Sequence, residues 1–367
     1  MSALLRDERA SRLRQAMDEA SLETLVLAAT AWRSDYWRFA LDVTPMEGMS
    51  IALIKRDGAV RLFVATPQEA RRIAAEQPAY EVSWSPDPIL AAETALGAVD
   101  AKRTGLAPSH AAPWRLARGP LGATVASTTA LLDTLMVRKT KAEADAVERA
   151  TAMADAGYAV FRAASRVGRP EYQVIADTEA WFRSQGCPEN FMIIGSGGPE
   201  LRGMRPATER QLAPGDLVTT ELTPCVDGYY AQICRTLVLG PASDAQKAAY
   251  DIYVEALEAG IAKVRPGNTH GDIARAQNDV FRRHGLGQYV TSEYTRVRGH
   301  GVGLFVDGPH VLEDVEMTLQ PDMTLVVHPN TYHPVAGYIV LGDTVRVTED
   351  GCKVLTQTPR ELFAATL

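Results

Sequence analysis

The sequence predicts a two-domain protein of the α/β (α+β) class. Two strand-like runs, 50–55 and 59–64, flank the dipeptide Asp57-Gly58, and this pattern predicts a β-hairpin in the first third of the chain. From Lys139 onward, long amphipathic helices alternate with short apolar runs typical of strands. We expect the domain boundary at this change of pattern, which gives domains of residues 1–135 and 136–367.

Local signals support the individual elements. Thr66-Pro67 predicts a helix start, because proline is favoured in the first helical turn. In the second domain, helices are predicted from Lys139, from Ser243 with its capping partner Gln246, and from Thr269 with its capping partner Asp272. The predicted strands of this domain span residues 217–223, 229–239, 323–327 and 344–347.

Composition excludes several classes of function. The 367 residues include 38 Lys and Arg against 45 Asp and Glu, so the net charge of -7 does not favour nucleic acid as a partner. The first residues mix both charge signs without an apolar core, and no run approaches the roughly 18 apolar residues of a membrane span. The four cysteines show no CxxC spacing. We therefore expect a cytoplasmic protein with reduced thiols and no membrane partner.

Four polar residues interrupt apolar runs of the second domain. They are Glu221, Gln232, His300 and His328. Burying such side chains is costly unless they are paired, bound to a ligand or used in catalysis, so they are the first candidates for a functional site.

The setting of these four residues resembles that of the creatinase/prolidase family, also called the pita-bread metallopeptidases. The resemblance extends from residue 1 to about residue 358. Its landmarks are Gly215-Asp216-Leu217-Val218, Gly228-Tyr229-Tyr230, Val264-Arg265-Pro266-Gly267, Gly299-His300-Gly301-Val302-Gly303 and Asp343-Thr344. The resemblance implies a pita-bread C-terminal domain, a smaller creatinase-type N-terminal α/β domain, and a homodimer in which one subunit's small domain covers its partner's active site.

Family peptidases hold two divalent metal ions with two aspartates, one histidine and two glutamates. At the matching positions this chain has Glu221, Gln232, His300, His328 and Gly342, so only the histidine is unchanged. Two adjacent cations need bridging carboxylates, and this set provides one. We therefore predict no metal ligands, no cofactor and no two-metal peptidase centre.

One metal-free branch of the family, creatinase, guides the functional prediction. We predict a metal-independent, creatinase-like hydrolase or lyase that acts on a C–N bond of a small polar amino acid, amide or guanidino-like compound. His300, His328 and Glu221 are the predicted catalytic residues, since imidazoles and a carboxylate can act as acid and base near pH 7.

Five further residues are predicted to bind this small-molecule substrate. Gln232, one of the four polar residues expected to share a cavity, would hold the substrate together with Arg298, which lies two residues before His300, and Tyr230 belongs to a family landmark. Asp307 matches the position of a family histidine, and Glu47 matches a creatinase loop that presents an arginine to the substrate.

Two alternatives stay open. Glu221, His300 and His328 are also a ligand set suited to one Fe, Mn or Zn ion, which would give a mononuclear Xaa-Pro peptidase-like hydrolase. The other alternative is a non-catalytic pseudopeptidase that binds a ligand, since a fold does not determine a function.

Overall fold

The computed structural model describes residues 3–98 and 100–365. The chain divides into two units, residues 1–140 and 141–367. The boundary expected near residue 135 lies inside a helix, Val125–Val137, which completes the first unit.

The first unit contains six helices and five strands among its described residues. In chain order they are α1 (Ala3–Glu19), β1 (Thr24–Ala29), α2 (Asp35–Leu41), β2 (Ser50–Lys55), β3 (Val60–Val64), α3 (Pro67–Glu76), β4 (Glu81–Trp84), α4 (Pro88–Leu96), β5 (Thr104–Ala107), α5 (Trp114–Ala117) and α6 (Val125–Val137), with a short 3-10 helix, Pro120–Thr124, before α6.

These strands form one mixed sheet in the order β4-β3-β2-β1-β5. The predicted hairpin is confirmed as β2 and β3, and Gly58 takes a φ of 95° in the turn between them. The predicted start of α3 is also confirmed, because the Thr66 side chain accepts a hydrogen bond from the Glu69 N–H at 3.2 Å. The core of the unit lies between the sheet and α4–α6, around Val26, Leu53 and Leu106.

The second unit contains four helices and eleven strands among its described residues. In chain order they are α7 (Lys141–Ala164), α8 (Glu171–Ser184), β6 (Asn190–Gly197), β7 (Leu217–Val226), β8 (Tyr229–Tyr230), β9 (Ile233–Leu239), α9 (Asp244–Ile261), α10 (His270–Arg283), β10 (Gly299–Gly301), β11 (Thr324–Val327), β12 (Thr331–His333), β13 (Gly337–Ile339), β14 (Asp343–Val347), β15 (Cys352–Val354) and β16 (Phe363–Ala365), with a short 3-10 helix, Gly287–Tyr289, after α10.

Two of its sheets position the polar residues singled out by the sequence. One has the order β16-β9-β7-β6, with β8 paired to β7, and the other has the order β10-β11-β14-β15. Both predicted capping boxes are confirmed, at Ser243 for α9 and at Thr269 for α10.

The strand predicted over residues 229–239 is interrupted. It splits into β8 and β9 because the N–H of Gln232 donates to the Thr344 hydroxyl at 3.1 Å rather than to a neighbouring strand. This break leaves the Gln232 side chain buried beside β9.

One stretch of the described residues matches a membrane span by length and composition alone. It is Pro120–Val137, with a mean hydropathy of 1.2 and 22% of its residues buried. A single such helix is weak support for membrane insertion, because helices of soluble proteins have the same properties. The expected lack of a membrane partner stays a prediction.

Candidate active site

The site is centred on Glu221, midway along β7. All residues from Leu217 to Cys225 are buried except Glu221, which is partly exposed. Directly opposite Glu221 on β9 lies Cys234. Strand pairing therefore places a carboxylate and a thiol side by side.

Gly342, which follows β13, lies beside Cys234 and continues the row that starts with Glu221 and Cys234. Cys234 and Gly342 exchange two backbone hydrogen bonds, of 3.2 and 2.9 Å. A Cβ atom built on Gly342 would lie 2.6 Å from the Cβ of His328 and 3.1 Å from the Cys234 sulfur. Glu221, Cys234, Gly342 and His328 thus follow one another across neighbouring segments.

Two histidines form the other side of the site. His300 on β10 pairs with Val326 on β11, and His328 follows β11 directly. Their ring centroids lie 5.4 Å apart, with an angle of 63° between the rings. The Nδ1 of His300 lies 3.0 Å from the Gly301 carbonyl oxygen, which fixes Nδ1 as the protonated nitrogen and leaves Nε2 as an acceptor.

Burial keeps both imidazoles neutral. It lowers the pKa of His300, and the nearby Asp307 carboxylate opposes this effect only in part. Burial lowers the pKa of His328 further, aided by repulsion from His300 and Arg298. The Nδ1 of His328 is buried and has no hydrogen-bond partner among the described residues.

The pKa of Glu221 is shifted in the opposite direction, upward. Burial and then the negative charge of Asp307 raise its pKa to about 7, although hydrogen bonds from Asn330 and Cys234 favour the ionised form. The Asn330 amide donates to Glu221 Oε1 at 2.7 Å. The carboxyl group is therefore half ionised near neutral pH, as a general base or acid should be.

Gln232 and Asp307 border this centre. Gln232 donates to the Cys234 sulfur at 3.3 Å and accepts from the Thr223 hydroxyl at 3.3 Å. Asp307 is exposed, with a carboxylate oxygen 3.7 Å from Nδ1 of His300. Their roles in substrate binding stay predictions.

Two predicted substrate ligands have their polar groups engaged by other residues of the second unit. Arg298 is completely buried, and its guanidinium donates to Asn278 Oδ1 at 2.5 Å and to the Asn330 carbonyl at 3.0 Å, so it supports the segment that carries Asn330. Tyr230 is buried and its hydroxyl donates to Glu189. Glu47 lies in an exposed segment of the first unit, between α2 and β2, and its role in substrate binding stays a prediction.

One residue of the centre, Asn330, was missed. It is 1% exposed, and its amide holds Glu221 from the loop after β11. The signal for it was an amide two residues beyond His328, in a buried segment of the sequence.

Comparison with known proteins identifies the family. The model of metallopeptidase family M24 matches residues 145–349, more than half of the chain. The chain belongs to metallopeptidase family M24. The predicted membership of the creatinase/prolidase, or pita-bread, family is thereby confirmed.

Among the similar M24 proteins are two Xaa-Pro dipeptidases. That of Pyrococcus furiosus is 31% identical over 234 residues, which cover 62% of this chain and 66% of the relative. That of Pyrococcus horikoshii is 30% identical over 234 residues, covering 62% of this chain and 65% of the relative. The match thus spans just under two thirds of each relative's length.

Solved structures confirm the predicted fold. The prolidase from Pyrococcus horikoshii OT3 superimposes with a TM-score of 0.82 at 24% identity, over 97% of this chain and 100% of that chain. Dipeptidase PepE from Mycobacterium ulcerans gives a TM-score of 0.83 at 24% identity, over 100% of both chains. At this identity the likeness concerns the fold.

These findings correct two predictions. The metal-independent, creatinase-like hydrolase is wrong, because the similar M24 proteins are Xaa-Pro dipeptidases of a metallopeptidase family. The prediction of no cofactor is wrong for the same reason. The findings agree better with the alternative of an Xaa-Pro peptidase-like hydrolase.

The M24 family implies a pair of metal ions, but the residues present do not fit that pair. Gly342 has no side chain, and even a Cβ there would collide with His328. The amide of Gln232 is engaged by Thr223 and Cys234. Within residues 3–98 and 100–365, no group of three or more His, Cys, Asp or Glu is placed to hold a metal ion. We therefore derive no catalytic step through a metal ion.

Proposed function

We propose that this protein hydrolyses the C–N amide bond of a small dipeptide-like substrate, in a centre that does not hold the pair of metal ions of the M24 peptidases. The observation that carries the proposal is the row that joins Glu221 through Cys234 and Gly342 to His328, whose ring lies beside that of His300. The Xaa-Pro dipeptidases among its relatives supply the class of substrate.

Glu221 is the proposed general base. Its carboxylate takes a proton from a water molecule, whose oxygen forms a bond to the amide carbon. The C–N bond then breaks, and the protonated Glu221 returns the proton to the leaving nitrogen, which yields a carboxylic acid and an amine. A pKa of about 7 suits both transfers, because the group must be ionised before the reaction and protonated within it.

The neutral histidines bind and orient the substrate in this proposal. A neutral imidazole has one donor and one acceptor nitrogen, so His300, with Nδ1–H bound to the Gly301 carbonyl, presents an acceptor. His328 keeps an unpartnered Nδ1, which a polar substrate group can satisfy.

The test is hydrolysis of Ala-Pro, Leu-Pro and Ala-Ala by protein purified without chelator, together with elemental analysis. We expect cleavage that is lost in Glu221→Gln and reduced in His300→Ala and His328→Ala. The matched control is Glu179→Gln, because Glu179 accepts an equivalent 2.7 Å bond from Asn190 away from the centre.

Two outcomes would overturn the proposal. No cleavage of any dipeptide, with or without added Mn²⁺ or Zn²⁺, would remove the assigned activity. Two tightly held metal ions per chain would show that the centre binds a pair of ions despite its altered side chains.

We also infer that the protein is a homodimer. In support, Trp32 follows β1, Met46 precedes β2 and Trp84 ends β4, so these large exposed side chains belong to the same end of the strands of the first unit's sheet. Exposed apolar groups gathered at one end of a domain are typical of interfaces. Sedimentation velocity should give a dimer that dissociates in the double variant Trp32→Ser with Met46→Ser, whereas a monomeric parent protein would contradict this inference.

A further inference from the structure

We propose that Asn330 is a positioning residue that holds the Glu221 carboxylate in its reactive orientation, and that Arg298 fixes Asn330 in turn. This inference rests on the proposed function, because it assigns a role in the reaction of Glu221. Its basis is a set of hydrogen bonds that leaves the Asn330 side chain no freedom to turn.

Both ends of the Asn330 amide are engaged. Its Nδ2 donates to Glu221 Oε1 at 2.7 Å, and its Oδ1 accepts the backbone N–H of Leu341 at 3.1 Å. An amide rotated by half a turn would face the Leu341 N–H with its own donor, and would offer an oxygen to a carboxylate. Only the observed orientation satisfies both neighbours, so the amide presents a fixed donor to Glu221.

The backbone of Asn330 is fixed from the other side. The Nη1 of Arg298 donates to its carbonyl oxygen at 3.0 Å, and the Nε of Arg298 donates to the Asn278 side chain on α10. Arg298 and Asn330 are 0% and 1% exposed. A buried arginine committed to a backbone carbonyl and an amide is costly to keep, which agrees with a structural purpose for it at this point.

The groups around Glu221 make this donor important. Asp307, in the loop after β10, adds a like charge, and Cys234 on β9 offers a weak thiol donor. Burial raises the pKa of Tyr338 on β13, and the charge of Glu221 adds to this effect. Asn330 is thus the one strong neutral donor that favours the ionised carboxylate among the described neighbours.

The experiment compares Asn330→Ala with Asn190→Ala. The two asparagines are matched, because Asn190 donates to Glu179 at 2.7 Å and accepts the Thr223 N–H at 3.0 Å. Loss of a hydrogen bond to a charged group should raise the acid limb of the pH profile by about one pH unit. At pH 7 this change lowers kcat about fivefold with KM little changed. Asn190→Ala should leave the limb in place.

Asn330→Asp provides a second variant of the same shape. It keeps the acceptor for the Leu341 N–H but replaces the donor by another carboxyl group, so the limb should rise further than in Asn330→Ala. Equal limbs in the parent protein and both Asn330 variants would overturn the proposal. So would an equal loss of kcat in Asn190→Ala.

A readout without substrate separates this inference from the proposed function. Difference infrared spectroscopy detects the protonated carboxyl band, which is assigned to Glu221 by its absence in Glu221→Gln. The midpoint of this band should rise in Asn330→Ala even if no dipeptide is cleaved. A midpoint that does not move would overturn the positioning role, whatever the activity of the parent protein.

Discussion

Replacing Glu221 by glutamine should stabilise the protein, and increasingly so at higher pH. The pKa of a glutamate is ordinarily 4.5, and burial together with Asp307 raises that of Glu221 to about 7. Between these values the unfolded chain is ionised whereas the folded protein retains its proton. The free energy of unfolding therefore falls as the pH rises through this window. Above pH 7 the group is ionised in both states, and the free energy of unfolding falls no further on its account.

The size of the effect follows from the interval between the two pKa values. Ionising Glu221 in the folded protein costs about 3 kcal/mol at high pH. At pH 5 the unfolded glutamate is already mostly ionised, but the pH is only half a unit above its pKa, so the cost of keeping the folded group protonated is about 1 kcal/mol. Glutamine cannot ionise but still accepts the Asn330 hydrogen bond. The stability gained by Glu221→Gln should thus grow by about 2 to 3 kcal/mol between pH 5 and pH 8.

Urea unfolding of both proteins at pH 5 and pH 8 measures this growth directly. A constant offset between the two proteins is uninformative, because the amide itself changes packing, so the quantity of interest is the change with pH. Glu179→Gln controls for replacing a hydrogen-bonded carboxylate elsewhere in the same unit. A gain that is equal at both pH values, or one that shrinks at pH 8, would refute the perturbed ionisation of Glu221.

Three more predictions concern the surroundings of this residue. Asp307→Asn removes a like charge, so the acid limb of the pH profile should move to lower pH; an unmoved limb would show that the two carboxylates do not interact. Gly342→Glu should lower the free energy of unfolding by about 1 to 3 kcal/mol, because its Cβ would lie 2.6 Å from that of His328, and elemental analysis should find no gain in bound metal. Arg235→Met breaks a buried ion pair with Asp343, of 2.7 Å, and leaves the Gly342 carbonyl without this donor; because Arg360 still pairs with Asp343, the cost in urea unfolding should be about 1 to 3 kcal/mol, and no measurable loss would contradict this.

Local signals in the sequence were sufficient for much of the fold. The hairpin at Asp57-Gly58 and the capping boxes at Ser243 and Thr269 depend on neighbouring residues only, and all three occur as predicted. Glu221 and His300 were found because an ionisable side chain within an apolar run is unusual whatever its tertiary surroundings.

The remaining features depend on contacts between distant segments. The sequence predicts Arg298 as a substrate ligand because it lies two residues before His300, whereas its burial depends on α10 and the loop after β11, which are distant in sequence. Asn330 was missed because its partner, Glu221, lies 109 residues away in sequence. The metal-independent, creatinase-like prediction failed for another reason: it took the nature of the activity from one branch of the family, whereas the similar M24 proteins are Xaa-Pro dipeptidases.

The costly features that remain at the centre argue for a working site over a retired one. A carboxylate that is largely shielded from water and has no cationic partner costs about 3 kcal/mol near neutral pH, and any neutral side chain at position 221 would avoid that cost. The unpartnered Nδ1 of His328 adds a second penalty that an apolar residue would not incur. A site that had only to preserve the fold would have no need of either, whereas hydrolysis requires a base that titrates near pH 7 and a polar group free to meet the substrate. The costs of Glu221 and His328 therefore favour the proposed hydrolytic site over a pseudopeptidase that only preserves the fold.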